Sequence, residues 1–364
     1  MSILKDILVA GVGEGASDWH IREGSSVVLR IDGSLTEVEF VTARDYLEQA
    51  VAEVMPPHLQ ETFLTTGDAD FAFSEEGAGR FRANLHRQRG LLSLSLRHIK
   101  AKVPEREQLG LPAVVHHIAR NQRGIVFITG TTGSGKSTTL ASMIEHLNRT
   151  ESRHVITIED PIEYHFVDHR SVIEQRDVGL DCVSYESALI HVLRQDPDVI
   201  VIGEMRNRAT FETALAAAET GHLVFTTLHT ANAPQTILRI LDMFPHDERD
   251  VVRKSLASSL RAIICQRLVP KASGHGVVPA LEILVNTPIV TKLLQENRLE
   301  KLTVAIDSGG DDGMISFNRS LLQLVNDGVI TEDAALEYSS NPQALTMNLK
   351  GIFLNTDVGA LVGE

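Results

Sequence analysis

The stretch GTTGSGKST, residues 130–138, limits the possible folds of this chain more than any other stretch does. It follows GIVFIT (124–129), a continuous apolar run that predicts a buried strand, and it leads into STTLASMIEHLN, which has helical spacing. It fits the pattern GxxxxGK[ST] in the strand–loop–helix context that this pattern requires. The sequence therefore predicts a loop whose backbone N–H groups and following helix N-terminus bind phosphate.

Two side chains of this loop have predicted roles. Lys136 is expected to reach the β- and γ-phosphates of a nucleotide, and the Ser137 hydroxyl is expected to bind Mg²⁺. The alternative is a glycine-rich turn between strand and helix that carries a lysine by chance. The predicted nucleotide-binding residues are Gly130, Thr131, Thr132, Gly133, Ser134, Gly135, Lys136, Ser137 and Thr138.

Carboxylates must complete such a site, and DVIVIGEMR (198–206) supplies one. The stretch has the pattern of a Walker B strand, except that Gly203 stands where an aspartate is usual. Glu204 is then the carboxylate at the strand end, and we expect it to bind the metal ion or to act in catalysis. The alternative is an ordinary surface glutamate that follows a strand.

A second acidic cluster follows another predicted strand, in TIEDPIEYHF (157–166). Pro161 is expected to end that strand. The carboxylates of Glu159, Asp160 and Glu163 then lie near the carboxyl edge of the sheet, where α/β proteins bind ligands. Two carboxylates at this edge would divide the labour, one on the metal ion and one polarising water. The alternative is a solvated acidic turn.

Two histidines flank a further predicted strand, in HLVFTTLHT (222–230). LVFTTL is rich in β-branched and aliphatic residues, and in a parallel sheet its carboxyl end would bring His229 to the γ-phosphate. His222 lies at the opposite end, roughly 23 Å away in an extended chain. We therefore expect His229 to sense the γ-phosphate and His222 to act at a turn or subunit contact. The alternative is that both are structural histidines.

Composition excludes some classes of protein. The 364 residues suggest two domains, and 43% hydrophobic with 23% charged residues is typical of a soluble globular chain. The net charge of -14 argues against a protein that mainly coats nucleic acid. Cys182 and Cys265 are too few for a four-cysteine zinc site and indicate a reducing compartment. We expect no signal peptide and find no apolar run of about 20 residues, so any membrane association is expected to be peripheral.

The pattern of predicted elements changes along the chain. Residues 1–99 predict a small α/β domain, with a hairpin in VVLRIDGSLTEVEF (27–40) and two more strands in RFRANLHRQRGLLSLSLRHI. Residues 100–112 are charged and flanked by proline, as in a linker. Residues 113–364 alternate strands with helices, which predicts a sheet covered by helices. After about Leu260 the pattern predicts mainly helix.

Four motifs occur in the order and at the spacing of a known family. GTTGSGKSTTL, TIEDPIEY, LRQDPDVIVIGEMR and AAAETGHLVFTTLHT resemble the Walker A, Asp box, Walker B and His box of the type II/type IV secretion ATPases. The resemblance covers nearly the whole chain, including GASDWHIREG and RIDGSL near its start and SSLRAIICQRLVP (258–270). A Gly-Glu Walker B is normal in this family. Two cysteines cannot form the four-cysteine zinc element that is usual in the assembly ATPases, and we expect no long extra N-terminal region, so the chain resembles the type IV pilus retraction ATPases.

This resemblance implies an α/β fold, with an N-terminal PAS-like domain followed by a RecA-like P-loop NTPase domain that has a helical C-terminal region. It implies ATP and Mg²⁺ as cofactors, with Ser137 and Glu204 on the metal ion. The catalytic residues that it implies are Glu163, Glu204, His229, Arg82 and Arg97. The two arginines match family arginines that approach the phosphates, and the alternative for each is an ordinary surface residue.

The resemblance also implies a homohexameric ring that hydrolyses ATP to drive type IV pilus retraction, in which pilin is depolymerised and twitching motility results. The other expected partners are the inner-membrane platform protein of the pilus machine, pilin through that protein, and a paralogous retraction ATPase. Nucleic acid is not expected as a partner. The expected location is cytoplasmic, peripheral at the inner face of the bacterial inner membrane.

Other interpretations stay open at this point. One is a nucleic-acid translocase, which the acidic charge opposes. Another is an accessory nucleotide-binding ring with little turnover of its own, which the intact carboxylates oppose. Within the retraction ATPases, PALEILVNTP and NPQALTMNLKG resemble the PilU-like branch, whereas Asn207 and Cys265 depart from the family pattern. The PilT-like and PilU-like branches therefore both stay open.

Overall fold

The computed structural model describes residues 4–31, 33–99 and 103–352, which form two compact units. The first unit contains the described residues before Val103 together with Glu163–His165, and the second contains the others. Residues 100–102 of the predicted linker, and the predicted end of the second domain at residue 364, lie outside the described residues. Within those residues, no helix is both long and apolar enough to span a bilayer.

In its described residues, the first unit contains six strands and three helices. The strands are β1 (Ala16–Arg22), β2 (Ser26–Ile31), β3 (Ser34–Val41), β4 (Asp68–Glu75), β5 (Gly79–Gln88) and β6 (Leu91–Ile99). The helices are α1 (Lys5–Gly13), α2 (Arg44–Val54) and α3 (Leu59–Thr66). The strands form one antiparallel sheet in the order β3-β2-β1-β6-β5-β4. The predicted hairpin at 27–40 and the two strands that follow residue 79 are confirmed.

The core of the first unit lies on one face of this sheet. Along β5, Phe81, Ala83 and Leu85 are buried, whereas Arg82 between them is exposed. This alternation follows from the two-residue period of a strand. The ring of Phe81 packs edge-to-face against that of Trp19 with centroids 5.3 Å apart, and both side chains are fully buried. The opposite face therefore carries the charged side chains.

In its described residues, the second unit contains a seven-stranded sheet in the order β13-β12-β7-β11-β10-β8-β9. Its strands are β7 (Gly124–Thr129), β8 (His154–Glu159), β9 (Val172–Asp177), β10 (Val199–Ile202), β11 (Leu223–Leu228), β12 (Leu260–Pro270) and β13 (Val277–Val285). All neighbouring strands are parallel except the β12–β13 pair. The carboxyl ends of β7, β10 and β11 therefore lie at one edge of the sheet, where α/β folds bind ligands.

Helices cover this sheet. They are α4 (Arg106–Leu109), α5 (Ala113–Ala119), α6 (Lys136–Thr150), α7 (Tyr185–Val192), α8 (Arg208–Glu219), α9 (Ala233–Leu241), α10 (Arg249–Ser259), α11 (Pro288–Gln295), α12 (Leu302–Ser308), α13 (Phe317–Asn326), α14 (Glu332–Tyr338) and α15 (Pro342–Leu349). Short 3₁₀ turns occur at Leu299–Lys301 and Gly310–Asp312. Every residue of β7 and β11 is buried, as expected for strands covered on both faces.

The predicted α/β class and the central strands β7, β8, β10 and β11 are confirmed. The prediction of a mainly helical chain after Leu260 is wrong for the first 26 residues, because β12 and β13 occupy 260–270 and 277–285. Most residues of both strands are buried, and a short buried apolar run has the same sequence pattern in a strand and in a helix. From Pro288 onwards the regular elements of the described residues are all helices, which agrees with the predicted helical C-terminal region.

Candidate nucleotide site

The phosphate loop lies between β7 and α6, as predicted, and its glycines allow a close approach of β12. Gly130 and Gly135 both have positive φ angles, of 148° and 83°. A Cβ at Gly130 would lie 2.4 Å from the backbone oxygen of Gln266, and one at Gly135 would lie 2.7 Å from the Gln266 side-chain nitrogen. Only glycine fits both the backbone conformation and the space at these positions.

Gln266 itself holds the phosphate loop to the sheet. Its side chain is buried, and its Nε2 donates a hydrogen bond of 2.7 Å to the backbone oxygen of Ser134. Its Oε1 accepts a hydrogen bond of 2.7 Å from the Thr139 hydroxyl in the first turn of α6. One amide therefore connects the loop, the helix that follows it and β12. The sequence analysis did not identify this residue, because nothing in SSLRAIICQRLVP distinguishes its glutamine from a surface one.

Lys136 is the first residue of α6 and is buried within the phosphate loop. Its ammonium group donates hydrogen bonds of 2.9 and 3.0 Å to the backbone oxygens of Gly130 and Thr131. It also lies 3.5 Å from Nδ1 of His229, which follows β11. Because the ammonium offers only donors, Nδ1 is the acceptor in this contact. The loop therefore folds back over its own lysine and directs it towards the end of β11.

A glycine, Gly203, follows the Walker B strand for a steric reason. A Cβ at Gly203 would lie 3.1 Å from the Tyr185 hydroxyl and 3.2 Å from the backbone oxygen of Ile158 in β8. An aspartate there would push these neighbours apart. The close approach leaves Glu204, the next residue, as the carboxylate of this strand end. Burial raises the pKa of the Tyr185 hydroxyl, and the carboxylate of Asp160 raises it further.

Glu204 contacts a cation and an imidazole. Its Oε2 accepts a hydrogen bond of 2.8 Å from Arg206, and its Oε1 lies 3.3 Å from Nε2 of His229. Partial burial alone would raise the pKa of this carboxyl, but the Arg206 guanidinium, aided by His229 and Lys136, lowers the pKa below its usual value. Glu204 is therefore ionised at neutral pH. Arg206 is a second residue that the sequence analysis missed, although it belongs to the quoted GEMR segment.

The two histidines of the His box lie at opposite ends of β11, as predicted. His229 bridges Lys136 and Glu204, so its imidazole is directed at the candidate site. His222 instead closes the turn between α8 and β11, where its Nδ1 lies 3.0 Å from the backbone oxygen of Ala217. The structure thus brings three predicted site residues together and leaves His222 outside the group.

The acidic cluster after β8 is more dispersed than the sequence suggested. Glu159 is the last residue of β8, and its Oε1 accepts hydrogen bonds from Thr157 at 2.6 Å and Gln175 at 3.2 Å. Glu163 is exposed in the loop beyond Pro161 and groups with the first unit. Glu159 thus serves the packing of the β8 and β9 ends, whereas the catalytic role of Glu163 stays a prediction.

Arg82 and Arg97 are direct cross-strand neighbours on β5 and β6. Arg82 is exposed. The Arg97 Nε donates a hydrogen bond of 2.7 Å to Asp18 on β1, although 70% of the Arg97 side chain is exposed. The sheet therefore presents two guanidinium groups side by side, and a carboxylate holds one of them. Their predicted contact with phosphate stays a prediction.

The chain matches known proteins along most of its length. A family model described as Type II/IV secretion system protein matches residues 92–309. The type IV pilus retraction ATPase PilT of Pseudomonas aeruginosa is 38% identical over 93% of this chain and 99% of that protein. The type IV pilus ATPase PilU of the same organism is also 38% identical, over 93% of this chain and 89% of that protein. The two branches are thus equally similar to this chain.

A solved structure gives the same result. The crystal structure of the pilus retraction motor PilT with bound ADP has a TM-score of 0.88 and 42% sequence identity, over 93% of this chain and 98% of that chain. This likeness confirms the predicted succession of an N-terminal PAS-like domain and a RecA-like P-loop NTPase domain. The resemblance inferred from the four motifs is also confirmed, and the chain belongs to the type II/IV secretion system protein family.

Proposed function

We propose that this chain is a motor ATPase that hydrolyses ATP to drive type IV pilus retraction. One observation carries the proposal: Lys136 and Glu204 lie on either side of His229, at the edge of the sheet where the phosphate loop ends. The imidazole of His229 therefore contacts both the Lys136 ammonium, which is proposed to bind phosphate, and the ionised Glu204 carboxylate. The similarity to the retraction motor PilT extends this chemistry to mechanical work on a pilus.

The donors of the site fit a nucleotide with Mg²⁺. The Ser134 hydroxyl is buried in the phosphate loop and finds no hydrogen-bond partner among the described residues, so it has a donor to offer a phosphate oxygen. Among all the residues that the structure describes, no group of three or more His, Cys, Asp or Glu side chains could hold a metal ion. Mg²⁺ suits this setting, because proteins commonly bind it through one or two side-chain oxygens and the substrate phosphates. Ser137 and Glu204 would provide those oxygens, and the ion would neutralise phosphate charge.

The side chains of the site have separate proposed roles in phosphate binding and hydrolysis. Lys136 exchanges its backbone carbonyl partners for the β- and γ-phosphates when ATP enters the loop. Glu204 is ionised and polarises the attacking water, with Glu163 as the second carboxylate. His229 reports whether the γ-phosphate is present, because its two nitrogens already contact the two groups on either side of that position. The predicted roles of Arg82 and Arg97 are to neutralise charge that develops on the phosphoryl group.

The motor is proposed to work as a homohexamer in the cytoplasm, peripheral at the inner membrane. Its proposed partners are the platform protein of the pilus machine and, through it, pilin. We also propose that this chain has a paralogous retraction ATPase as a partner, since it is equally similar to PilT and PilU. The proposed domain limits are 1–99 and 113–364, with 100–112 as the linker. That segment contains the short helix α4.

Complementation tests the motor function most directly. A piliated bacterium that lacks its own retraction ATPase is transformed with this chain or with the Lys136→Ala variant, and twitching zones and surface pili are measured. We expect the unmodified chain to restore twitching and to lower the number of surface pili, and the variant to do neither. If the unmodified chain hydrolyses ATP but restores nothing in such a host, with or without that host's paralogous motor, the motor assignment is wrong.

A further inference from the structure

Thr227, in β11, holds the backbone on both sides of Glu204. Its hydroxyl donates a hydrogen bond of 2.6 Å to the backbone oxygen of Gly203. Its own backbone oxygen accepts a hydrogen bond of 3.1 Å from the N–H of Met205. The first bond fixes the peptide group that precedes Glu204, and the second fixes the peptide group that follows it. One residue therefore restrains both peptide planes that flank the Cα of the Walker B carboxylate.

Two fixed planes determine the direction in which the Glu204 side chain leaves the backbone. A residue has only two soft backbone torsions, and each of them turns one of the adjoining peptide planes. With both planes held, the Cα–Cβ direction of Glu204 is set by β11, and His229 directly follows the end of that strand, two residues beyond Thr227. The 3.3 Å approach of Glu204 to His229 therefore depends on a single strand for the placement of both partners.

The neighbouring threonine makes the contrast clear. Thr226 is buried in the same strand, but its hydroxyl has no hydrogen-bond partner among the residues that the structure describes. The hydroxyl of Thr227 is almost equally buried, yet its 2.6 Å bond lies next to a proposed catalytic group. Two adjacent side chains of identical chemistry thus differ in whether their hydroxyl is used. A requirement for β-branched residues in a buried strand explains both threonines, but it does not explain the bond to Gly203.

We propose that Thr227 is a positioning residue for catalysis, which holds the Glu204 carboxylate in register with His229 and the γ-phosphate. This inference deepens the proposed function and rests on it. The hydroxyl does not touch the nucleotide in this account, so it acts on the chemical step and not on nucleotide affinity. A methyl group in place of the hydroxyl cannot stay 2.6 Å from a carbonyl oxygen, and the peptide before Glu204 moves away.

The test compares identical substitutions at adjacent positions. Thr227→Val and Thr226→Val are purified with the unmodified chain, and kcat, the KM for ATP, the dissociation constant of a fluorescent ADP analogue and the melting temperature are measured. We expect Thr227→Val to lower kcat by about tenfold or more, because small displacements of catalytic groups have effects of that size. Its ADP affinity and KM should change by less than about twofold, the pattern of an interaction used in the transition state.

Three further variants, Thr227→Ser, Thr227→Ala and Glu204→Gln, complete the design. Thr226→Val should retain the kcat of the unmodified chain, because it removes a hydroxyl that has no hydrogen-bond partner among the described residues. Thr227→Ser, which keeps the donor, should recover kcat to within about threefold of the unmodified chain. Thr227→Ala removes the hydroxyl without adding a methyl group, and it replaces Thr227→Val in the comparison if that variant does not fold. Glu204→Gln shows whether the carboxylate itself matters.

The outcomes distinguish the positioning role of Thr227 from the proposed catalytic role of Glu204, on which it rests. If Glu204→Gln leaves turnover unchanged, the proposed role of Glu204 fails. If Glu204→Gln lowers turnover but Thr227→Val and Thr227→Ala do not, only the positioning role of Thr227 is wrong. An equal loss in Thr226→Val and Thr227→Val, or a loss of ADP affinity that matches the loss of kcat, would reduce Thr227 to a structural residue of β11.

Discussion

Nε2 of His229 lies 3.3 Å from Oε1 of Glu204, while Nδ1 of the same ring lies 3.5 Å from the Lys136 ammonium. The ring therefore contacts both the cation that is proposed to bind phosphate and the carboxylate that is proposed to polarise water. Any phosphate that draws Lys136 away changes the partners of the imidazole. These two contacts are the basis of the proposed role of His229 as a γ-phosphate sensor.

Removal of this imidazole should slow turnover more than it weakens binding. We expect His229→Ala to lower kcat by about 10²-fold, the size of effect seen when one preorganised donor is lost from a catalytic site. The affinity for ADP, which has no γ-phosphate, should change little. The matched control is His222→Ala at the other end of β11, which should lose one hydrogen bond to Ala217 and keep near-normal turnover. Equal effects at the two histidines would contradict the sensor role.

Neutralising the Walker B carboxylate should leave the nucleotide bound but unreacted. Glu204→Gln keeps the shape of the side chain, and we expect kcat to fall by about 10²-fold or more with ADP affinity retained. Glu163→Gln should also slow turnover if the exposed acidic loop is catalytic. Normal turnover in Glu163→Gln would show that this loop is a solvated turn and would leave Glu204 as the single catalytic carboxylate.

Glu282 should make stability depend on pH. This carboxyl is buried in β13, where its Oε1 accepts a hydrogen bond of 2.8 Å from the N–H of Ala233 at the start of α9. Burial raises its pKa above the usual value of 4.5, although the Ala233 N–H and the Arg267 guanidinium oppose the shift. The folded state therefore holds this proton more tightly than the unfolded state. Folding stability falls as the pH rises from the usual pKa through the raised one.

The Glu282→Gln variant isolates this effect, because glutamine keeps the acceptor for Ala233 and cannot ionise. We expect its melting temperature to exceed that of the unmodified chain at about pH 8, and the difference to shrink as the pH falls towards about 5. Thermal unfolding followed by circular dichroism across this range provides the measurement. A difference that stayed constant, or grew on acidification, would contradict the raised pKa.

Local patterns were sufficient to predict the phosphate loop and the strands around it. Continuous apolar runs gave β7, β10 and β11, and the ends of these three strands put Lys136, Glu204 and His229 at one edge of the sheet. The same patterns did not reveal β12 and β13, because a buried apolar segment carries no period that separates strand from helix. The sequence alone therefore identified the central strands of the sheet and missed the β12–β13 flank.

Two residues of the site, Gln266 and Thr227, could not be predicted from the sequence for the same reason. Gln266 and Thr227 act through hydrogen bonds to the backbone of other elements, Ser134 in one case and Gly203 in the other. Such bonds depend on which strands become neighbours, and a side chain of ordinary type gives no sign of them in the sequence. The glycine at position 203 also could not be explained from the sequence. The structure explains it, because Tyr185 and Ile158 leave little space for a side chain there.

We infer that Lys136 serves a phosphate loop at which this chain hydrolyses ATP. Steady-state phosphate release from ATP and Mg²⁺ is measured on the purified chain, on Lys136→Ala and on Lys292→Ala, which alters an exposed lysine of α11. The account predicts turnover by the unmodified chain and by Lys292→Ala, and a loss of about 10²-fold or more in Lys136→Ala, with its melting temperature near normal. Undiminished phosphate release from a folded Lys136→Ala protein would contradict it.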